Sequence, residues 1–149
     1  MDIRTFPEWL AELNDSQITI RTVPQLVDFL DRTESLPKGI LSLCADAGPR
    51  AWWERLFGAK RFVVSFFAIE WSQDFASVIF HDEYGSEYRA LDQDNPVAID
   101  DSIRNQIAHG ELTPHPIEEC MKKARAFAGV RSFVSSGERP DWFTYRYVG

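Results

Sequence analysis

The spacing of apolar side chains predicts three strands in the first half of the chain. Residues 17–21 alternate apolar and polar side chains, a pattern typical of a half-buried strand. Residues 39–45 form a short apolar run that also indicates a strand. Residues 61–71 are apolar at both odd and even positions, so we expect a central strand covered on both faces.

A hairpin and a closing strand are predicted in the second half. Residues 75–80 and 86–91 are β-prone and flank residues 82–85, whose Asp-Glu-Tyr-Gly composition is typical of a turn. Residues 142–148 are aromatic and β-prone, so they are expected to form the last strand of the sheet.

Three helices are predicted. Residues 6–13 have a proline in the first turn and apolar side chains on one helical face. Thr22 and Gln25 have the spacing of a capping box at the start of a second helix. Residues 116–134 give the longest helical pattern, with Gly137 as the C-terminal cap. The buried stripe of this helix is predicted to contain Ile117, Met121, Ala124, Phe127 and Ala128.

Together these elements predict an α+β fold: an antiparallel-leaning β-sheet packed with a long C-terminal helix and a shorter N-terminal helix. The pattern does not decide whether residues 51–57 form a helical turn or an aromatic-rich loop. Three prolines leave the element boundaries within 92–116 undefined. The chain has 149 residues and no internal repeat or linker, so residues 1–149 are expected to form a single domain.

The chain is acidic, and much of its charge falls within one stretch of sequence. Its 23 acidic and 16 basic residues give a net charge of −7. This charge disfavours direct binding to a nucleic-acid backbone and favours a basic partner. Residues 70–111 contain ten carboxylates and only two arginines. Either this stretch is a solvated face, or it is a docking surface in which acidic and aromatic residues are interleaved.

The docking interpretation defines a set of candidate contacts. Acidic side chains would steer a basic protein towards the surface, and aromatic side chains would anchor it. The candidate carboxylates are Glu70, Asp74, Asp82, Glu83 and Glu87, and the candidate anchors are Trp71 and Tyr84. Such a role requires no cofactor and no metal ion.

Catalytic interpretations have less support. His81-Asp82-Glu83 follows a strand, where a His–Asp pair can hold a metal ion or transfer a proton, although ordinary turn polarity explains the same residues. His109 and His115 are six residues apart, which does not fit the HExxH metal motif. The sequence contains no glycine-rich phosphate loop and no GxSxG nucleophile motif.

Cysteine usage and hydropathy indicate the compartment. Cys44 and Cys120 are expected to be buried thiols, because the chain has no CxxC pair and a packed thiol explains Cys120 better than a Cys–His dyad. The N-terminal residues do not have the pattern of a signal peptide, and the longest apolar run is far shorter than a membrane span. A cytoplasmic protein is therefore expected.

Two segments resemble a family of bacterial immunity proteins. Residues 22–31 (TVPQLVDFLD) are similar to the T-V-x-x-L-x-x-L-L-D helix of family one of the immunity proteins of polymorphic toxin systems. Residues 133–142 (FVSSGERPDW) resemble the F-x-x-x-G-E-R-P segment that precedes a tryptophan-bearing strand in that family. Residues 137–142 are expected to form a structural corner that seats the last strand.

The resemblance implies a non-catalytic protein that binds and neutralises the C-terminal domain of a cognate toxin, as in contact-dependent inhibition. Such toxins are often nucleic-acid deaminases or nucleases, and an acidic surface would fit their basic active cleft. The protein is expected to be a monomer before binding and to contact neither nucleic acid nor membrane. Two alternatives remain open: a small metal- or His/Asp-dependent enzyme, and a general adaptor for another basic protein.

Overall fold

The computed structural model describes residues 8–46, 63–92 and 98–149. Within these ranges eight strands form one sheet. The strands are β1 (Glu8–Leu13), β2 (Ser16–Ile20), β3 (Lys38–Asp46), β4 (Val63–Ser72), β5 (Phe75–His81), β6 (Glu87–Leu91), β7 (Cys120–Lys122) and β8 (Thr144–Tyr147). The helices are α1 (Val23–Glu34), α2 (Asp101–Gln106) and α3 (Lys123–Ser136), with a 3-10 turn at Ile117–Glu119.

The sheet is antiparallel throughout, and its strand order is β2-β1-β3-β4-β5-β6-β8. The short strand β7 pairs with the beginning of β5, on the side that β6 occupies further along the same strand. The prediction of an α+β fold with an antiparallel sheet is confirmed.

The main core lies between one face of the sheet and helices α1 and α3. Alternate side chains of the strands point to this face, so that Phe67 of β4 and Phe80 of β5 both reach α3. Phe133 of α3 lies at the centre, with its ring 5.6 Å from Trp9, 5.4 Å from Phe67 and 6.1 Å from Phe80 between centroids. These aromatic contacts fix how α3 crosses the sheet.

A smaller apolar cluster covers part of the opposite face. Ile99, Ile107 and Cys120 are buried there, and Phe75 and Ile103 pack against them. The hydroxyl of Ser77 on β5 donates a hydrogen bond of 2.5 Å to the carbonyl oxygen of Ile107. Residues 98–119 therefore lie over strands β4, β5 and β6.

The prediction of a helix over residues 6–13 is wrong for its described part, because residues 8–13 form β1. Trp9 and Ala11 are buried while their neighbours are less so, which is the two-residue period of a strand. Trp9, Leu10 and Leu13 also fit one helical face, so the spacing alone does not decide. Pairing with both β2 and β3 favours the strand.

The prediction of one helix over residues 116–134 is wrong at its start. A 3-10 turn and then β7 precede α3, which begins at Lys123. The cause is the free edge of β5: β6 pairs with β5 from Ile79 onward, which leaves Phe75–Ser77 available to β7. Phe127 and Met121 are buried as predicted, whereas Ala124, Ala128 and Ile117 are exposed.

Helix α1 and its cap are confirmed. The backbone N–H of Gln25 donates to the Thr22 hydroxyl at 3.3 Å, and the Gln25 side chain accepts from the backbone N–H of Arg21 rather than that of Thr22. Gly137 caps α3 in the left-handed conformation, with φ of 77°. Strands β2, β3, β4, β5 and β6 match their predicted segments, and β8 is shorter than its prediction.

Two uncertain segments have different outcomes. Residues 51–57 lie outside the described residues. Within 92–116, residues 101–106 form α2, and the Asp100 side chain caps it by accepting from the backbone N–H of Ile103 at 3.0 Å. Helix α2 is short and packs against the sheet through Ile103, so its tertiary contacts stabilise it more than its own sequence does.

Candidate functional site

The turn between β5 and β6 is ordered by its own side chains. One carboxylate oxygen of Asp82 accepts hydrogen bonds from the backbone N–H groups of Tyr84 and Ser86, each at 2.9 Å. Gly85 adopts φ of 84°, a backbone conformation that residues with a side chain rarely adopt. Glu83 and Tyr84 are both exposed, and Tyr84 exposes 85% of its surface. The turn therefore presents an acidic and aromatic tip in a defined conformation.

A second ordered feature follows α3. The left-handed Gly137 donates its backbone N–H to the carbonyl oxygen of Phe133 at 2.7 Å and redirects the chain. The hydroxyl of Tyr145 on β8 then donates to the carbonyl oxygen of Pro140 at 2.7 Å. This contact ties residues 137–140, which we call the Gly137–Pro140 corner, to the last strand, as expected from the sequence.

Arg139 is held over the sheet by aromatic rings. Its guanidinium carbon lies 4.5 Å from the ring centroid of Tyr145, 4.6 Å from that of Tyr88 and 5.6 Å from that of Phe80. Distances below about 6 Å from a ring face are favourable for a cation. The rings come from β5, β6 and β8, so the sheet fixes the position of this charge.

The turn and the corner enclose a cavity of about 540 Å³, open to solvent at the end of the sheet. Three carboxylates and one guanidinium line it together with aromatic and small side chains. The lining residues are Ser65, Phe80, Asp82, Glu83, Tyr88, Gly137, Glu138 and Arg139. This cavity, with the tip of the turn beside it, is the candidate site for binding a partner.

The seven candidate contacts of the sequence analysis are not brought together. Asp82, Glu83 and Tyr84 share the tip of the β5–β6 turn. Asp74 lies in the turn between β4 and β5, at the other end of β5. Seven residues of strand separate the two turns, or about 20 Å at about 3.3 Å per residue. Asp74 is exposed, but it cannot share a small docking surface with the β5–β6 turn.

Three other candidates face inward. Trp71 is 1% exposed and packs edge-on against Phe127, so the prediction that it anchors a partner is wrong. Glu70 is half-buried and accepts a hydrogen bond from the backbone N–H of His109 at 3.2 Å. Burial raises the pKa of Glu70 above its ordinary value. Glu87 is half-buried and lies 3.1 Å from the Nε2 atom of His81.

Several other carboxylates of the acidic stretch form ion pairs with arginines of the same chain. Asp92 pairs with Arg125 at 2.9 Å, Asp101 pairs with Arg104, and Glu111 pairs with Arg89 at 2.6 Å. The concentration of negative charge in the sequence is therefore not one continuous acidic surface. The exposed charge that remains at the candidate site belongs to the β5–β6 turn and to Glu138.

Sequence reasoning missed a buried ionic cluster on the opposite face of the sheet. Glu119, 1% exposed, accepts a hydrogen bond of 2.6 Å from the Nε atom of Arg146 and lies 4.0 Å from Nη1 of Arg89. His115 is fully buried, and its Nε2 atom lies 3.4 Å from Glu119. The available signal was Arg89, a charged residue between Tyr88 and Ala90 in a predicted strand.

Two histidines near this cluster are held in their neutral form. Burial, with a smaller contribution from the positive charge of Arg89, lowers the pKa of His115 to about 4. Burial also lowers the pKa of His109 to about 4, with a smaller effect from His115. Neither ring nitrogen of His115 has a hydrogen-bond partner among the described residues. The Oε2 atom of Glu119 lies 3.4 Å from the ring, but burial and the nearby Arg89 outweigh its attraction for a proton.

We expect stability to fall as the pH falls from about 6.5 towards 4. The unfolded chain binds protons at His109 and His115 in this range and the folded protein does not, so protonation favours unfolding. Each histidine contributes a slope of up to about 1.4 kcal/mol per pH unit. Urea unfolding at pH 7.5, 6 and 5 measures the effect. In His115→Gln the slope should be shallower, and an equal slope would contradict this assignment.

The catalytic alternative gains little from the placement of its residues. The ring of His81 stacks on Phe66 at 4.2 Å and pairs with Glu87, while Asp82 holds the turn. In residues 8–46, 63–92 and 98–149, no three side chains among His, Cys, Asp and Glu are arranged to hold a metal ion. These contacts match the turn-polarity interpretation of His81-Asp82-Glu83.

The cysteines are both free thiols. Cys120 is buried, and burial raises its thiol pKa to about 12, which keeps it protonated and unreactive. Cys44 is only half-buried, so the expectation of two buried thiols is met by Cys120 alone.

Comparison with protein-family models and with curated proteins yields no match to this chain. None of the described helices is long and apolar enough to cross a membrane. The functional conclusion therefore depends on the sequence resemblance and on the geometry of the candidate site.

Proposed function

We propose that this protein is a cytoplasmic immunity protein, which binds a basic toxin domain and occludes its active cleft without catalysing a reaction. The observation that carries this proposal is the exposed tip of the β5–β6 turn, where Asp82, Glu83 and Tyr84 stand together beside an open cavity. The resemblance of residues 22–31 and 133–142 to an immunity family supports the same function.

The charge of the turn supports a basic partner. Neither Asp82 nor Glu83 forms an ion pair with a described basic side chain, in contrast to Asp92, Asp101 and Glu111. Their charges are therefore available to an approaching protein. Exposed charges of one sign steer a partner of the opposite sign and increase its rate of association.

Tyr84 is suited to anchor the complex. It is largely exposed, and the neighbouring carboxylate of Glu83 raises the pKa of its phenol. A tyrosine on a rigid turn offers a large apolar area and a polar end, and tyrosines are enriched among the residues that dominate interface energies. Because Asp82 fixes the backbone of the turn, binding costs less backbone conformational entropy there.

The proposal is tested by expressing the C-terminal domain encoded by the neighbouring gene, with and without this protein. We expect the domain alone to stop growth and co-expression to restore it. Equal killing in both strains would overturn the proposal. A neighbouring product that is harmless but binds this protein would instead favour the adaptor alternative.

Salt should change the kinetics of the complex. We expect the association rate constant to fall by about tenfold or more between 50 and 500 mM salt, because screening shortens the reach of the turn charges. The dissociation rate constant should change much less. Stopped-flow mixing with the partner domain measures both constants. An association rate that is independent of salt would indicate a mainly apolar interface.

A further inference from the structure

We propose that Arg139 is a binding site for a carboxylate that the partner inserts into the cavity between the β5–β6 turn and the Gly137–Pro140 corner. This inference rests on the proposed function for one assumption, that the carboxylate belongs to a protein partner. Arg139 is the positively charged group of the cavity lining, and the other charged lining residues are acidic.

Arg139 is distinguished from the other arginines by its lack of a carboxylate partner. Eight arginines lie in the described ranges. Seven of them form an ion pair with Asp or Glu: Arg21, Arg32, Arg89, Arg104, Arg125, Arg131 and Arg146. Arg139 forms none with a described residue, although Asp82, Glu83 and Glu138 line the same cavity. It therefore has no ion-pair partner within this part of the chain.

The aromatic rings position the guanidinium of Arg139 so that an anion can bind at its N–H edge. Tyr88, Tyr145 and Phe80 hold the guanidinium by its attraction to ring faces. Its N–H groups lie in its own plane, and none of them is taken by an acceptor among the described residues. A guanidinium that is already positioned loses less rotamer freedom when it binds a ligand.

The surrounding charge favours a carboxylate over a phosphate. Asp82, Glu83 and Glu138 make the cavity lining negative overall, so a doubly charged phosphate or a polyanion would be repelled more strongly than one carboxylate. A carboxylate is planar and can accept two parallel hydrogen bonds from a guanidinium. The same three acids would attract a basic side chain beside it. The site thus fits an Asp or Glu that neighbours a Lys or Arg in the partner.

The probe for this inference is the capped dipeptide acetyl-Asp-Lys-amide, with acetyl-Asn-Lys-amide and inorganic phosphate as comparisons. The NMR signal of the Arg139 Nε–H group is followed during each titration of the full chain. We expect a saturable shift with the Asp peptide, and at least threefold weaker binding of both comparison ligands. Equal binding of the Asn peptide, tighter binding of phosphate, or an unmoved Arg139 signal would overturn the inference.

The variant Arg139→Lys tests the geometry, since it keeps the charge and loses the planar fork. We expect it to bind the Asp peptide at least threefold more weakly while its NMR spectrum stays folded. If Arg139→Lys does not fold, the titrations of the unmodified protein still show whether Arg139 binds the carboxylate. Peptide binding without protection from the toxin would refute the proposed function alone. Protection without peptide binding would refute the Arg139 site alone.

Discussion

Reversing two exposed charges that line the cavity, Glu83→Lys with Glu138→Lys, is expected to weaken binding to the partner domain by about 100-fold, and it leaves Asp82 in place to hold the β5–β6 turn. Two attractive charges become repulsive at the surface proposed to meet a basic cleft, and steering changes association rates by about 10- to 1,000-fold. Surface plasmon resonance measures the loss, which should lie mainly in the association rate constant. Protection in co-expression should fail in parallel.

The matched control is Glu12→Lys with Asp15→Lys. Both residues are exposed on the β1–β2 hairpin, and the double change alters the net charge by the same amount. Leu13 aligns with Leu41, Ile69 and Val78 across the sheet, so this hairpin turns at the end of the sheet opposite the β5–β6 turn. We expect less than a threefold change in affinity. Equal losses in both variants would show that net charge, rather than the charges at the cavity, controls binding.

Replacing Glu119 by alanine is expected to lower the free energy of unfolding by about 3 kcal/mol. The carboxylate is buried and binds Arg146, and it also lies near Arg89, whose side chain is 9% exposed. Without Glu119, Arg89 keeps only its contacts with Glu111 and Glu87 in a poorly solvated position. Arg146 is half-exposed and can turn towards water, which limits the loss. Urea denaturation measures the difference.

Glu111→Ala is the control for this effect. Glu111 contacts the same Arg89 at 2.6 Å, but 45% of its side chain is exposed. Exposed ion pairs contribute about 0 to 1 kcal/mol and breaking a buried pair costs about 3 to 5 kcal/mol, so for this pair between an exposed and a buried side chain we expect a loss of about 1 to 2 kcal/mol. If Glu119→Ala were no more destabilising than Glu111→Ala, the buried cluster would not stabilise the fold as described.

The sequence pattern predicted the strands better than it predicted the helix starts. The apolar character of β4 follows from burial on both faces of the sheet, with Phe67 and Ile69 on one face and Ala68 on the other. In β2 only Ile20 is buried, although the alternation predicted the strand. In β1, by contrast, Trp9, Leu10 and Leu13 fit a helical face while Trp9 and Ala11 fit a strand period, and only the neighbouring strands decide. The start of α3 was misplaced because Cys120–Lys122 pairs with β5, a contact distant in sequence.

The candidate site was predictable only in its local parts. The turn chemistry of Asp82 and Gly85 and the cap at Gly137 act over a few residues, so their sequence signals are direct. Which carboxylates are neutralised depends on arginines elsewhere in the chain, as for Asp92 and Arg125. Charge counting over residues 70–111 therefore overstated the acidic surface.

The position of Arg139 shows the same limit. The Gly-Glu-Arg-Pro segment indicates a corner, and the corner is present. The rings of Phe80, Tyr88 and Tyr145 that hold the guanidinium come from three strands. No spacing within the sequence marks their convergence, because it depends on the order of β5, β6 and β8 in the sheet.

Amide hydrogen exchange of the free and partner-bound protein tests the central claim most directly, since it reports which backbone segments the complex covers. The account predicts slower exchange on binding at residues 83–86 and 137–139, with no change at residues 14–16 of the β1–β2 hairpin. Unchanged exchange at the β5–β6 turn, together with protection elsewhere on the sheet, would contradict it.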